Sequence, residues 1–113
     1  MTTATFELPE TLRTDYIFDE TNPNWERNPI HNVFFVKMML SLFNDLLQAK
    51  GYVFVNEILS HMGIPQTRSG AIIGWSREAN PNSYIDFGLD PIVENVRELH
   101  FNVDGVIIQY LPE

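Results

Sequence analysis

An α+β fold is predicted, with one long, largely buried helix and one or two short helices packed on antiparallel β-hairpins. Three features of the 113-residue sequence point to it. A 21-residue stretch from Ile30 to Lys50 is apolar around most of a helical circumference. Short β-branched and aromatic runs recur in the second half. Gly, Pro and Asn-rich turns separate these runs.

Taken in order, residues 1–29 carry Pro9, Pro23 and Pro29 with no sustained period. They read as an extended N-terminal arm lying over a single compact domain of residues 30–113. A short strand is expected around Tyr16-Ile17-Phe18, with Trp25 pinning the arm. Thr21-Asn22-Pro23-Asn24 is turn chemistry. Asn28 is placed to cap the long helix, Pro29 to occupy its first position and Gly51 to end it in a left-handed conformation. At about 100° per residue, Lys37, Ser41, Asn44, Asp45 and Gln48 share one narrow polar stripe, which only Phe34 interrupts. The rest of the helix, including Leu42, is expected in the core. Cover for so much apolar surface comes either from the arm or from a second subunit, and a homodimer is the favoured case.

Tyr52-Val53-Phe54 links to a short helix over Val55–Met62, closed by Gly63 and Pro65, with Ile58, Leu59 and Met62 inward. Gln66 to Gly70 form a turn or a single helical turn. Ala71 to Trp75 read as a strand, with Gly74 marking a bulge or a close backbone approach. Tyr84-Ile85-Asp86-Phe87 is a second strand, with Tyr84 and Asp86 facing one way and Ile85 and Phe87 the other, and Asp90-Pro91 opens a short helix to about Arg97. Alternation in Leu99, Phe101, Val103 and again in Val106, Ile108, Tyr110 predicts a hairpin turning at Asp104-Gly105.

The composition narrows the function classes. Hydrophobic residues make up 44% of the chain, with eight Phe, four Tyr and two Trp, enough for an unstapled core. With no cysteine, disulfides, thiolate metal sites and thiol nucleophiles are excluded. The net charge is −8, and six acids face only Arg13 and Arg27 in the first 30 residues. Such a chain repels phosphate backbones, so nucleic acid is not an expected partner. Met1 to Thr5 lack the basic and apolar regions of a signal peptide. Asn32, Lys37, Asn44 and Asp45 make the long helix a poor membrane span. A cytoplasmic protein is expected.

Six runs are distinctive together: Thr21-Asn22-Pro23-Asn24-Trp25, Leu42-Phe43-Asn44-Asp45-Leu46-Leu47, Phe54-Val55-Asn56-Glu57-Ile58, Gly70-Ala71-Ile72-Ile73-Gly74-Trp75, Tyr84-Ile85-Asp86-Phe87-Gly88 and Phe101-Asn102-Val103-Asp104-Gly105. Over roughly residues 21 to 110 the chain resembles a family of small uncharacterised proteins from bacteriophages and mobile elements of Gram-positive bacteria. The arm is not part of that likeness. The resemblance implies a host-interaction, regulatory or structural setting and brings no catalytic residues.

Each candidate site has a plainer reading beside it. Residues 55–87 match a winged helix in outline: Val55–Met62 as first helix, 66–73 as recognition helix and 71–87 as wing, with Arg68 and Arg77 supplying charge. Ser69 and Gly70 weaken that reading, and an ordinary helix and turn suffice. Glu57 and His61, four apart, suit a shared metal or a solvated pair. His31 and His100 are lone histidines and read as structural. Thr67 to Gly70 suit an anion-binding nest or a common turn. Asp86, Asp90 and Asp104 suit a carboxylate cluster, or a strand residue, a cap and a turn residue.

No catalytic, metal or cofactor residue is assigned. Trp25, Arg68, Trp75, Arg77 and Tyr84 are the candidate interaction residues, since aromatic residues and arginine dominate interface hot spots. The preferred reading is a non-enzymatic protein-interaction or structural module that binds a protein partner or itself. A nucleic-acid-linked regulator using 55–87 and an enzyme of unknown class are the alternatives.

Overall fold

The computed structural model describes residues 12–89 and 95–111. Strand β1 (Asp15–Ile17) leads through a turn-rich loop into helix α1 (Pro29–Lys50). Strand β2 (Tyr52–Phe54), helix α2 (Val55–Met62) and a 3-10 turn (Ser69–Ala71) follow. Strands β3 (Ile73–Ser76), β4 (Glu98–His100) and β5 (Gly105–Val106) and a last 3-10 turn (Ile108–Tyr110) complete the order. All strand pairing is antiparallel: β1 with β4, and β2-β3-β5 in a second sheet. The α+β class holds, with α1 as its longest element.

The sequence signals at the ends of α1 act as expected. Asn28 Oδ1 accepts from the Ile30 and His31 N–H groups (3.1 and 3.2 Å), and Pro29 needs no acceptor. Gly51, at φ +90°, returns its N–H to the Leu47 carbonyl at 2.8 Å. Asn32, Val36, Met39, Phe43 and Leu47 form the buried face, the three-and-four spacing of one helical side. Helix α2 turns Val55, Ile58, Leu59 and Met62 inward. Glu57 reaches back to accept from the Phe54 N–H at 2.9 Å, the acidic half of a capping box. At its far end the Met62 carbonyl receives the Asn22 and Asn24 amides (2.8 and 3.0 Å).

Phe18, Phe43, Val53, Ile58, Trp75, Phe87 and Leu99 are fully buried in one core. Tyr16 and Phe18 belong to it, so the segment around β1 is built into the body and not laid upon it. Gly74 has the close approach its sequence position suggests: a Cβ there would overlap the Val53 carbonyl oxygen of the neighbouring strand.

Asparagine side chains do much of the pairing that strands would otherwise do. Asn32, Asn44 and Asn56 each clamp both backbone groups of one distant residue, accepting from its N–H and donating to its C=O. The clamped residues are Glu26 (2.9 and 2.7 Å), Ile85 (2.9 and 3.0 Å) and Thr67 (3.0 and 2.9 Å). Asn102 serves three residues at once. Its Oδ1 accepts from Trp75 Nε1 (2.9 Å) and the Asp86 N–H (2.8 Å), and its amide donates to the Tyr84 carbonyl (3.0 Å).

Several expectations are corrected by this arrangement. Tyr84–Phe87 alternates as foreseen, with Ile85 and Phe87 buried and Tyr84 outward, but it is no strand. Amide clamps from α1 and Asn102 take much of the place of a ladder there. The Asp104-Gly105 hairpin does not form. β4 pairs with β1, β5 pairs with β3, and Ile108–Tyr110 is a 3-10 turn. Gly105 does adopt a positive φ of 129°, but the Asp104 carboxylate accepts from the Ser76 N–H, the Ser83 hydroxyl and the Asn80 amide. Those bonds draw the turn onto the end of β3. The Tyr52–Phe54 link is a strand. Asn44, expected outside, is half-buried at its clamp, whereas Leu42, expected inside, is 38% exposed. The helix expected over 90–97 falls largely outside the described residues.

Candidate interaction surface

Among the described residues, helix α1 packs on the core with one side. Its opposite side carries Ile30, Phe34, Met38 and Leu42, with exposures of 80, 67, 47 and 38%. Residues four apart on a helix advance by about 40° and lie one above the next. These four therefore form a continuous apolar ridge spiralling over three helical turns. A second row, Lys37, Ser41 and Asp45, runs beside it with the same spacing and is also exposed. Its charged ends stand on either side of a small hydroxyl. Neither Lys37 nor Asp45 has a hydrogen-bond or ion-pair partner among the described residues.

Four large apolar side chains in one row are more than the scattered exposed hydrophobes of an ordinary surface. By length and composition α1 is apolar enough to cross a membrane. Its other face packs inside the fold, through Val36, Phe43 and Leu47, and carries Asn32 and Asn44 in clamps to the rest of the chain.

Next to the C-terminal end of α1 an open cleft of about 630 Å³ is lined by Lys50, Tyr52, Arg77, Glu78 and Tyr110, among others. Its two cations are already engaged. Lys50 Nζ bonds Glu57 at 2.9 Å and stands 4.9 Å above the Tyr52 ring, and Arg77 bonds Gln48 Oε1 at 2.8 Å. Glu78 on the rim adds a negative charge that works against an anionic ligand.

The residues singled out in the sequence fall on separate segments. Trp25 is half-buried and packs against the core. Trp75 is 0% exposed and bonds Asn102, so it presents no surface to a partner. Tyr84 is 62% exposed, Arg77 lines the cleft, and Arg68 is exposed just before the 3-10 turn. The winged-helix reading is overturned: Ser69–Ala71 is a three-residue 3-10 turn and not a recognition helix. β3 pairs with β2 and β5, so residues 71–87 make no wing.

Two N–H groups of the Thr67–Gly70 nest, and the two that follow it, are engaged. Thr67 donates to Asn56, Gly70 to the Thr67 hydroxyl, and Ala71 and Ile72 to Arg68 and Ser69 carbonyls. Glu57 serves Phe54 and Lys50, and His61 Nδ1 lies 3.2 Å from the Glu57 carbonyl. Asp86 accepts from the Gly88 N–H, Asp104 holds the 76–83 loop, and Asp90 is outside the described residues.

One ionic cluster ties β1 to β4. His100 Nδ1 is 2.8 Å from Asp15 Oδ1, and its Nε2 is 3.5 Å from Glu98 Oε1. The Asp15 hydrogen bond, helped by the charges of both carboxylates, raises the imidazole pKa above its ordinary 6.5 against a smaller opposing desolvation.

Sequence reasoning missed the amide clamps, and of the α1 ridge it read only Phe34 and a need for outside cover. For the ridge a signal existed: Phe34 sits on the same face as Lys37 and Ser41. An aromatic residue on the polar side of a helix marks a surface that water does not explain.

Comparison with known families gives a match over residues 2–111 to a family described as a family of unknown function (DUF6353). The match includes the N-terminal segment, contrary to the expectation that the likeness begins near residue 21. Neither a curated protein nor a solved structure matches the chain.

Proposed function

The chain belongs to this family of unknown function, and from its surface we propose that it works by protein–protein contact, without catalysis, through the exposed ridge of α1. The observation that carries this reading is the unbroken row Ile30, Phe34, Met38 and Leu42. A helix presenting an apolar row at this spacing is the form in which helical surfaces engage one another or a groove.

The chemistry-bearing side chains support the non-catalytic part. Glu57, Asp86 and Asp104 serve as backbone acceptors, and His100 ties two strands. The resemblance to small proteins of phages and mobile elements of Gram-positive bacteria supports a structural or host-interaction role. The missing cysteines suit the cytoplasm, the compartment we assign.

The test is a photo-crosslinking amino acid placed in the full chain at Met38 and, as a control, at Glu20 on the exposed loop after β1. Polypeptide adducts formed in cells from position 38 and not from position 20 are expected. Adducts from neither position, or equally from both, would overturn the reading.

A further inference from the structure

We infer that the occupant of the α1 ridge is a second copy of this chain, packed antiparallel with Ser41 at the two-fold axis. The inference rests on the docking reading above and names its partner.

The register comes from the Lys37-Ser41-Asp45 row. Lys37 and Asp45 stand four residues on either side of Ser41, each about 6 Å from it along the helix axis. In an antiparallel pair centred on Ser41, Lys37 of one copy lies at the level of Asp45 of the other, and the reverse. Two reciprocal ion pairs close at once, as a two-fold contact requires. Both groups are exposed and without partners among the described residues.

The apolar ridge fits the same arrangement. Rows of residues four apart are inclined to the helix axis, and two such rows interdigitate when helices cross at about −50°, the commonest packing class. That crossing brings the two Lys37-to-Asp45 rows into line. Ser41 is small, so its row dips at the middle, and the helices can approach there. Phe34, Met38 and Leu42 of each copy then fill the grooves beside the dip.

The apolar groups supply affinity and the charges supply direction. A solvent-exposed ion pair contributes little to stability, but like charges brought face to face suppress a wrong register. A parallel pair would place Lys37 against Lys37. One helix crossing buries less than the roughly 1,600 Å² of a standard interface, so the dimer is of micromolar strength.

The test is sedimentation equilibrium of the purified full chain. Wild type is expected to show twice the chain mass at about 100 µM, a concentration well above a micromolar dissociation constant. Lys37→Asp and Asp45→Lys should each raise the dissociation constant at least tenfold. The double variant Lys37→Asp/Asp45→Lys should restore it to near wild type. Both substituted positions are exposed, and unchanged melting temperatures verify folding.

If Phe34→Ser dissociates the dimer while the charge variants fail to weaken and rescue it, the antiparallel register is overturned and the docking face stands. A wild-type monomer at that concentration, with crosslinked adducts still forming at position 38, overturns the second copy as partner and leaves the docking reading intact. A monomer without adducts overturns both.

Discussion

Residues 29–62 and the described residues between 76 and 107 are held together by different kinds of hydrogen bond. In the first region α1 and α2 satisfy their own backbone and are closed by caps: Asn28, Gly51, Glu57 and Gly63. In the second region much of the backbone is served by side chains. Asn44 holds Ile85, Asn102 holds Tyr84 and Asp86, and Asp104 holds Ser76, Asn80 and Ser83. A capped helix needs little beyond its own segment to satisfy its backbone. A clamped loop needs one amide delivered from far along the chain, and losing it strands two or three polar groups at once.

The largest expected effect belongs to the first region. Phe43 is fully buried on the inner face of α1. Phe43→Ala should cost about 3–5 kcal/mol, read from the urea midpoint with an unchanged denaturant slope. A smaller loss would mean that α1 is not packed as tightly as its burial implies.

Asn102→Leu tests the second region directly. It keeps side-chain bulk but leaves Trp75 Nε1, the Asp86 N–H and the Tyr84 carbonyl without their partner. An unsatisfied buried polar group costs about 1–3 kcal/mol. Partial access to water reduces the sum, so a loss of about 2–4 kcal/mol is expected in the same urea titration. A loss below about 1 kcal/mol would erase the distinction between the two regions, because the clamps would then be ornament on a loop held by packing.

His100 sharpens the comparison through pH. Its folded-state pKa is raised, so its contribution is fully present below about 6.5, the ordinary value, and is lost as pH rises through the higher folded value. Thermal melts across that window should show stability falling with pH, and His100→Gln should flatten the slope. An unchanged slope would show that the Asp15–His100 contact does not hold β1 in solution.

The smallest effect is expected one residue from the largest. Leu42→Asp alters the exposed ridge beside Phe43 and, measured on the monomer at low concentration, should stay within about 1 kcal/mol of wild type. A loss comparable with that of Phe43→Ala would contradict the exposure of Leu42.

The first region was legible in the sequence because its determinants are local. Asn28-Pro29 and Gly51 bound α1 within one residue, and Val55–Met62 is fixed by Glu57 and Gly63. The second region was legible only in its alternation. Ile85 and Phe87 were read on one side and Tyr84 and Asp86 on the other, yet part of the ladder expected of them went to amides 41 and 16 to 18 residues away. Turn chemistry suggested a hairpin at Asp104-Gly105, but a carboxylate in that turn with three distant donors outweighs the local preference. Among the candidate site residues, Trp75 shows the same limit. A tryptophan's partner decides whether it faces a surface or the core, and Asn102 is 27 positions away.

The amide clamps also fix the order in which the chain settles and what exchange with solvent records. Ile85 takes its partner from the middle of α1, and Asp86 takes its partner from the segment after β4. Beyond its local turns, in which Asn82 and Ser83 donate to Asn80 and Gly88 to Asp86, the 80–88 loop bonds to distant partners, so it should close only after both of those have docked. In hydrogen–deuterium exchange the amide protons of Ile85 and Asp86, though outside any helix or strand, should persist like those of a ladder and disappear together with the global opening of the domain. By far-ultraviolet circular dichroism the same residues are spectroscopically coil. Such protection would show more of the described chain held in place than its content of regular structure records.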